Sequence, residues 1–323
     1  MNLEKTFKNK KVIVTGHTGF KGSWLTLWLT KLGANVLGIS KNIPTKPSHF
    51  ESIKLKKKIR HKIININNYD EISKIFKTYQ PSFVFHLAAQ SLVSKSYDNP
   101  IETFNTNAVG TLNILESLKQ VKKKCVVVII TSDKVYKNLE ITKGYKEDNI
   151  LGGKDPYSGS KAAAENIINS YIHSYFDKAK SKIFLSIARA GNVIGGGDWS
   201  QDRIVPDCIK SWSKNKQVII RNPNSTRPWQ HVLEAVGGYL IFGDPNKIGG
   251  FQNMLQRHIV YTLGRTKDEM EEICERLFAD DITRSVKSKV VRTRRTIILI
   301  DGLSHNKTIR QLKKSFLGLI KII

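Results

Sequence analysis

Three glycines at positions 16, 19 and 22 constrain this chain more than any other feature, because of what stands on either side of them. Lys11-Val12-Ile13-Val14 reads as a short β-branched strand, and Trp24-Leu25-Thr26-Leu27-Trp28-Leu29 as a helix with an apolar face. The loop between them, Thr15-Gly16-His17-Thr18-Gly19-Phe20-Lys21-Gly22, must carry the chain from a strand end into the first turn of a helix. Glycine there removes the side chains that would keep an anion away from the backbone N–H groups and the positive helix end. The spacing is G-x-x-G-x-x-G rather than the tighter G-x-G-x-x-G, and in this strand-loop-helix context it suits a pyrophosphate. Gly16, Thr18, Gly19, Phe20, Lys21 and Gly22 are the candidate contacts.

Further apolar runs at 35–39, 62–65, 83–87 and 126–130 alternate with helical patterns at roughly 69–79 and 105–119. Continuous apolar strands separated by helices predict a parallel sheet covered on both faces. The expected fold class is α/β, a doubly wound, Rossmann-like sheet that binds a dinucleotide, with a smaller, atypical C-terminal substrate lobe. Residues 1–190 would form the dinucleotide domain, 191–240 the start of the substrate lobe, and 241–323 a divergent tail.

The second strand ends Gly38-Ile39-Ser40-Lys41, without the acidic residue that usually grips the ribose hydroxyls of NAD. The choice between NAD and NADP is therefore not written there, and Lys41 suits either a 2′-phosphate or solvent. After the third strand, Asn65 is placed to hydrogen-bond an adenine edge and Ile66 to pack on its face. After the fourth, Leu87-Ala88-Ala89-Gln90 lets the chain pass close beneath a dinucleotide, and Asn107 is expected to tie its helix to the neighbouring strand.

Lys and Arg total 53 against 27 acidic residues, a net charge of +26 that raises the question of nucleic acid or an anionic membrane. The lysines are scattered in small knots such as Lys56-Lys57-Lys58, without aromatic interleaving or a nucleic-acid module, so a solvated basic surface is expected instead. No apolar run of eighteen residues occurs, and the N-terminus lacks a signal-peptide pattern, which predicts a cytoplasmic protein with no membrane partner. Cys125, Cys208 and Cys274 are odd in number and widely spaced, which fits neither disulfides nor a metal site. They are expected to be reduced and mostly buried.

Tyr157-Ser158-Gly159-Ser160-Lys161 places a phenol and an ammonium four residues apart, on one face of a helix. An ammonium beside a phenol favours the phenolate, which can take a proton from a sugar hydroxyl as hydride leaves for nicotinamide. The preceding strand ends Thr131-Ser132-Asp133-Lys134. Ser132 can hold the reacting oxygen and relay its proton to Tyr157. Once a 4-keto group acidifies C5, Asp133 can protonate the departing C6 hydroxyl while Lys134 assists at C5.

With these residues in view, the chain resembles the CDP-glucose 4,6-dehydratases of the extended short-chain dehydrogenase/reductase superfamily. The resemblance is dense from about Lys10 to Tyr239 and includes the glycine loop, His86-Leu87-Ala88-Ala89-Gln90, Thr131-Ser132-Asp133-Lys134, Tyr157-Ser158-Gly159-Ser160-Lys161, Arg189-Ala190-Gly191-Asn192, Gly195-Gly196-Gly197-Asp198-Trp199 and Arg227-Pro228-Trp229-Gln230-His231. Asp133-Lys134 is the sharper discriminator, since relatives acting on dTDP-glucose and GDP-mannose typically carry Asp-Glu there. The resemblance implies a lyase with tightly held, recycled NAD. It would turn CDP-glucose into CDP-4-dehydro-6-deoxyglucose and water, for dideoxysugars of surface polysaccharides such as lipopolysaccharide O-antigen. It further implies that Asn192 and Arg227 hold the substrate diphosphate, that Arg203 and Trp229 lie near the nucleotide, and that the protein is a homo-oligomer, dimer or tetramer.

Beyond Tyr239 the resemblance stops abruptly, and Glu234-Ala235-Val236 already replaces the usual Glu-Pro-Leu. Residues 266–278 read as a capped helix and 284–295 as a basic run. A diverged lobe and a reading-frame shift near residue 241 both account for the change, and its suddenness favours the shift. Three functional classes follow: an active dehydratase, another NAD-dependent nucleotide-sugar epimerase or dehydratase, and an inactive NAD-binding remnant.

Overall fold

Strands that are apolar on both faces need cover on both faces, and this chain supplies it by following nearly every strand with a helix. The computed structural model describes residues 3–139, 145–176, 181–220, 229–243 and 259–261. α1 (Leu3–Phe7) leads into β1 (Lys11–Thr15), α2 (Phe20–Lys31), β2 (Asn35–Ser40) and α3 (His49–Ser52). Then come β3 (Arg60–Ile63), α4 (Tyr69–Tyr79), β4 (Phe83–His86), α5 (Val93–Asp98), α6 (Pro100–Phe104) and α7 (Gly110–Leu118). β5 (Cys125–Ile130), α8 (Pro156–Tyr171) and β6 (Ile183–Ala190) follow. After them come β7 (Asn192–Ile194), α9 (Ile204–Ser213), β8 (Trp229–His231), α10 (Val232–Phe242) and β9 (Ile259–Tyr261).

The main sheet has the order β3-β2-β1-β4-β5-β6-β9, and every pairing in it is parallel. This is the doubly wound order, in which the order of strand addition reverses between β1 and β4. A separate parallel pair, β7 with β8, lies outside that sheet. The chain divides into two compact units, one of Met1–Ala190 with Val236–Tyr261, the other containing Gly191–Ala235.

Alternation along the strands decides which face each residue serves. Ile13, Val84, Cys125, Val127 and Ile129 join α4 residues Ile72, Ile75 and Phe76 and α7 residues Ile114, Leu115 and Leu118 in one buried cluster. On the opposite face Phe7 meets Phe83 and Phe85, with ring centroids 4.8 and 6.1 Å apart. The α10 backbone approaches this face closely, since a Cβ at Gly237 would lie 3.4 Å from the Trp28 ring.

Three boundaries differ from expectation. β3 runs Arg60–Ile63 instead of 62–65, because as an edge strand it is largely exposed and carries no continuous apolar run to mark it. The helix expected at 105–119 is preceded by α6, which starts at Pro100, and widens into a π-type turn at Asn105–Val109. β9, from the region read as tail, pairs with β6 from Ala188↔Ile259 to Ala190↔Tyr261. The expected helix at 266–278, the basic run at 284–295 and Cys274 lie outside the described residues. Cys125 is buried and Cys208 half-buried, both as free thiols.

Leu115 is fully buried where α7 meets the sheet. Leu115→Ala is expected to cost about 2–5 kcal/mol, the range for emptying such a site. The measurement is a urea titration, in which the midpoint should fall with the slope unchanged.

Candidate functional site

In a sheet of this order the carboxyl ends of β1 and β4 face a common crevice. The glycine loop leaves β1 there and is packed flush against the exit of β4. Gly16 has φ +74°, and a Cβ on it would lie 2.7 Å from the Ala88 backbone N. At Gly22 a Cβ would lie only 2.0 Å from the Gly16 carbonyl oxygen, so the loop folds down onto the start of α2. Gly19 is the N-cap of α2 and offers no side-chain cap, which leaves backbone at the helix N-terminus for an anion. Ala88 N donates to Thr15 Oγ1 at 3.2 Å, and half-buried Ala88 and Ala89 keep the β4 exit low. These features fit the pyrophosphate of a dinucleotide.

The loop is anchored by residues that the motif reading passed over. His17 Nδ1 lies 2.9 Å from Ser40 Oγ and its Nε2 lies 2.7 Å from His61 Nδ1. Thr18 N donates to Ser40 Oγ at 3.3 Å, and Thr18 Oγ1 donates to the Asn42 carbonyl at 2.6 Å. The available signal was Gly38 inside a β-branched strand: a Cβ there would lie 2.4 Å from the His17 ring. Lys41 forms an exposed ion pair with Glu102 at 2.6 Å. Ile66 is buried in the core cluster, and Asn65 Oδ1 accepts from Asn67 N at 3.1 Å within a local turn. Asn107 does tie its helix to the β4 exit. Its Oδ1 accepts from Gln90 N at 2.8 Å, and its Nδ2 donates to Gln90 O at 3.0 Å and to Ser160 Oγ at 2.9 Å.

β5 delivers Thr131 and Ser132 to the same edge. Ser132 Oγ donates to Asp133 Oδ1 at 2.9 Å and accepts from Lys134 N at 3.2 Å, which holds the short turn Asp133–Val135. α8 starts at Pro156 with Asp155 as N-cap, whose carboxylate accepts from Ser158 N at 2.9 Å. Tyr157 and Lys161 therefore fall in its first two turns, both buried. Lys134 Nζ sits 6.0 Å from the centre of the Tyr157 ring, so the strand-end turn and the helix pair meet. Lys161 Nζ donates to the Ile130 carbonyl at 3.4 Å. Burial, with the charge of Lys21 added, brings the Lys161 pKa down to about 8 against an opposing pull from Glu165.

His86 is fully buried beside this pair. Its Nε2 lies 3.1 Å from Thr111 Oγ1, whose own proton goes to the Asn107 carbonyl at 2.7 Å. Nε2 must therefore donate, and Nδ1 accepts from Thr15 Oγ1 at 2.7 Å. The imidazole is neutral, and burial, then the Lys161 charge, lower its pKa to about 3.

Asn192 and Trp229 are register partners in the β7–β8 pair, so two residues 37 positions apart are brought side by side. Arg203 precedes α9 and bonds Asp198 Oδ2 at 2.9 Å. Arg227 lies outside the described residues.

The buried neutral His86 predicts acid sensitivity. An unfolded histidine takes up a proton near pH 6.5, whereas the folded one resists it down to about 3. Between those values the unfolded state binds more protons, so stability rises with pH through the window and is lost as pH falls. His17 and His49, both lowered to about 4 by burial, add to the slope. Urea midpoints measured from pH 8 to 4 should be level above pH 7 and fall below 6.5. His86→Gln should flatten part of that fall.

The GDP-mannose 4,6 dehydratase family profile matches residues 13–293, past the point where the motif resemblance ends. CDP-glucose 4,6-dehydratase of Salmonella typhimurium is 49% identical over 243 residues, 74% of this chain and 68% of that protein. dTDP-D-glucose 4,6-dehydratase of Dictyostelium discoideum is 29% identical over 268 residues, 79% of this chain and 60% of that one. Among solved structures, epimerase Mth375 of Methanothermobacter thermautotrophicus is 26% identical with a TM-score of 0.65, over 75% of this chain and 70% of that chain. DesIV of Streptomyces venezuelae, a dTDP-glucose 4,6-dehydratase, shares the fold at a TM-score of 0.66 and 18% identity, over 84% and 82% of the two chains. With a cradle shaped for a dinucleotide and a Tyr157–Lys161 pair beside it, the chain belongs to the GDP-mannose 4,6 dehydratase family.

Proposed function

We propose that this chain is a CDP-glucose 4,6-dehydratase, a hydro-lyase that forms CDP-4-dehydro-6-deoxyglucose and water. The observation that carries the reading is the 49% identity to the Salmonella typhimurium enzyme of that name. The site supports it by holding Asp133-Lys134 beside Tyr157. NAD is the cofactor. The Lys41–Glu102 ion pair supports NAD over NADP, since that lysine already has a carboxylate partner.

Bound NAD supplies reversible hydride acceptance, and the chain supplies the rest. The glycine loop from Gly16 to Gly22 and the low exit at Leu87-Ala88-Ala89-Gln90 hold the dinucleotide, with Asn65 and Ile66 toward its adenine end. Tyr157 Oη takes the C4 hydroxyl proton, Lys161 stabilises the phenolate, and Ser132 Oγ holds the sugar oxygen. The resulting 4-keto group acidifies the C5 proton, which Lys134 Nζ helps to remove. Asp133 gives a proton to the C6 hydroxyl, which departs as water. With NAD bound, the hydride lost from C4 would be returned at C6 while a solvent-derived proton is added back at C5, so the sugar would undergo internal redox with no net oxidation.

Asn192 and Arg227 are assigned to the substrate diphosphate, the arginine through charge-assisted bonds, and Arg203 and Trp229 to the nucleotide. Residues 1–190 are assigned to the dinucleotide domain, joined by 236–261, and 191–235 to the start of the substrate lobe. Exposed Ile101, Phe104 and Val109 along α6 and the turn after it support a homo-oligomer through these helices. The free thiols of Cys125 and Cys208 support a cytoplasmic setting, and the product would serve dideoxysugar and O-antigen synthesis. Among the described residues no helix is long and apolar enough to cross a membrane.

The test is incubation of the full-length chain with CDP-glucose and NAD in D2O. A 4-keto-6-deoxy sugar carrying deuterium at C5 is expected, and Tyr157→Phe should lower kcat by about 10²–10⁴-fold. Recovery of a C4 epimer without exchange at C5 would move the chain to the epimerases. NAD binding without turnover would make it a remnant.

A further inference from the structure

The strand β6 is apolar apart from Ser186 and Arg189, and α8 carries Glu165 one turn beyond Lys161. Both charged residues are removed from solvent, with side chains 1% and 0% exposed. Arg189 Nε donates to the two carboxylate oxygens of Glu165 at 3.0 and 3.1 Å, and Nη2 donates to Oε2 at 2.5 Å. Thr131 Oγ1, next to Ser132, donates to Glu165 Oε1 at 2.5 Å. The guanidinium also donates from Nη1 to the Glu147 carbonyl at 3.1 Å and lies 4.6 Å from the Tyr136 ring centre. One carboxylate thus joins β5, β6 and α8 immediately behind the reacting groups.

The spacing of Lys161 and Glu165 is that of an ordinary i,i+4 ion pair on a helix. The ammonium instead turns to the Ile130 carbonyl, at the long distance of 3.4 Å. We propose that Arg189 is a positioning residue for the Tyr157–Lys161 pair: by holding the Glu165 carboxylate toward β6 it keeps this anion from capturing Lys161. The inference rests on the role given to that pair above. Lys161 is then left to work with Tyr157 on its own helix, with the Lys21 charge, neutral His86 and the residual pull of the Arg189-bound Glu165 around it. Thr131 holds the same carboxylate from the β5 side, which couples the placement of Ser132 to that of α8.

The test reads Lys161 directly and needs no turnover, so failure of the dehydratase reading would leave it intact. The full-length chain is labelled with ¹³C at lysine Cε and titrated by NMR from pH 6 to 11. Lys161 is identified as the resonance missing from Lys161→Met. The unmodified chain should titrate near pH 8. Arg189→Met should raise that midpoint by about one unit or more as Glu165 swings to the ammonium. Glu165→Gln/Arg189→Met should bring it back, since the carboxylate at position 165 is gone. With CDP-glucose and NAD, Arg189→Met should lower kcat about tenfold with little change in KM, and the double variant should recover part of the loss. A buried carboxylate without its partner is strongly destabilising, so Arg189→Lys, which cannot form the bidentate fork, serves if Arg189→Met does not fold. A Lys161 midpoint unmoved in the folded Arg189 variant overturns the proposal, as does a double variant whose midpoint stays raised.

Discussion

The parallel pairing of β1 with β4, in a register that sets Thr15 beside His86, is the constraint on which the site depends. The helices that follow these strands pack on opposite faces, α2 on one and α7 on the other, so the strand ends are left uncovered between them. Into that opening the glycine loop turns from one side and Leu87-Ala88-Ala89-Gln90 from the other. Their contact is so close that no side chain fits on Gly16. Since β5 pairs with β4 along its length, Ser132 and the turn after it come to the same edge without any further device.

Polar groups buried around this opening form chains rather than isolated pairs. From Thr15 through His86, Thr111 and Asn107 to Ser160, each donor meets an acceptor, and the chain links β1, β4, α7 and α8. A neutral imidazole in such a chain is well placed beside a buried ammonium, because a second positive charge there would be opposed by both burial and Lys161. The carboxylate that acts on Lys161, Glu165, is held by Arg189 and Thr131. Lys161 therefore sits in surroundings that weaken its hold on a proton, which suits a group that must respond to charge forming and vanishing on a neighbouring phenol.

Much of this was legible in the chain itself. Strands at Val12–Val14 and Val126–Ile130 are apolar at every position and could only be buried on both faces, and the glycine loop could only sit between a strand and a helix. Tyr157 and Lys161 followed from helical spacing. β3 was misplaced by two residues because an edge strand has no apolar run, and the widened turn at Asn105–Val109 has no composition that announces it. His17 and Arg189 were passed over for a different reason: their partners, His61 and Glu165, lie 44 and 24 positions away.

Local order was thus determined by the sequence alone: which segments are strands, which are helices, where glycine must stand and which side chains share a helix face. These follow from steric and periodic rules that act over a few residues. Which of those side chains meet was decided only by the tertiary structure. The β1–β4 adjacency, the capture of Glu165 by Arg189 and the side-by-side placement of Asn192 and Trp229 are contacts across tens of residues. No short-range rule encodes them, because they arise from the order in which parallel strands pack and from the burial of charge that this packing enforces.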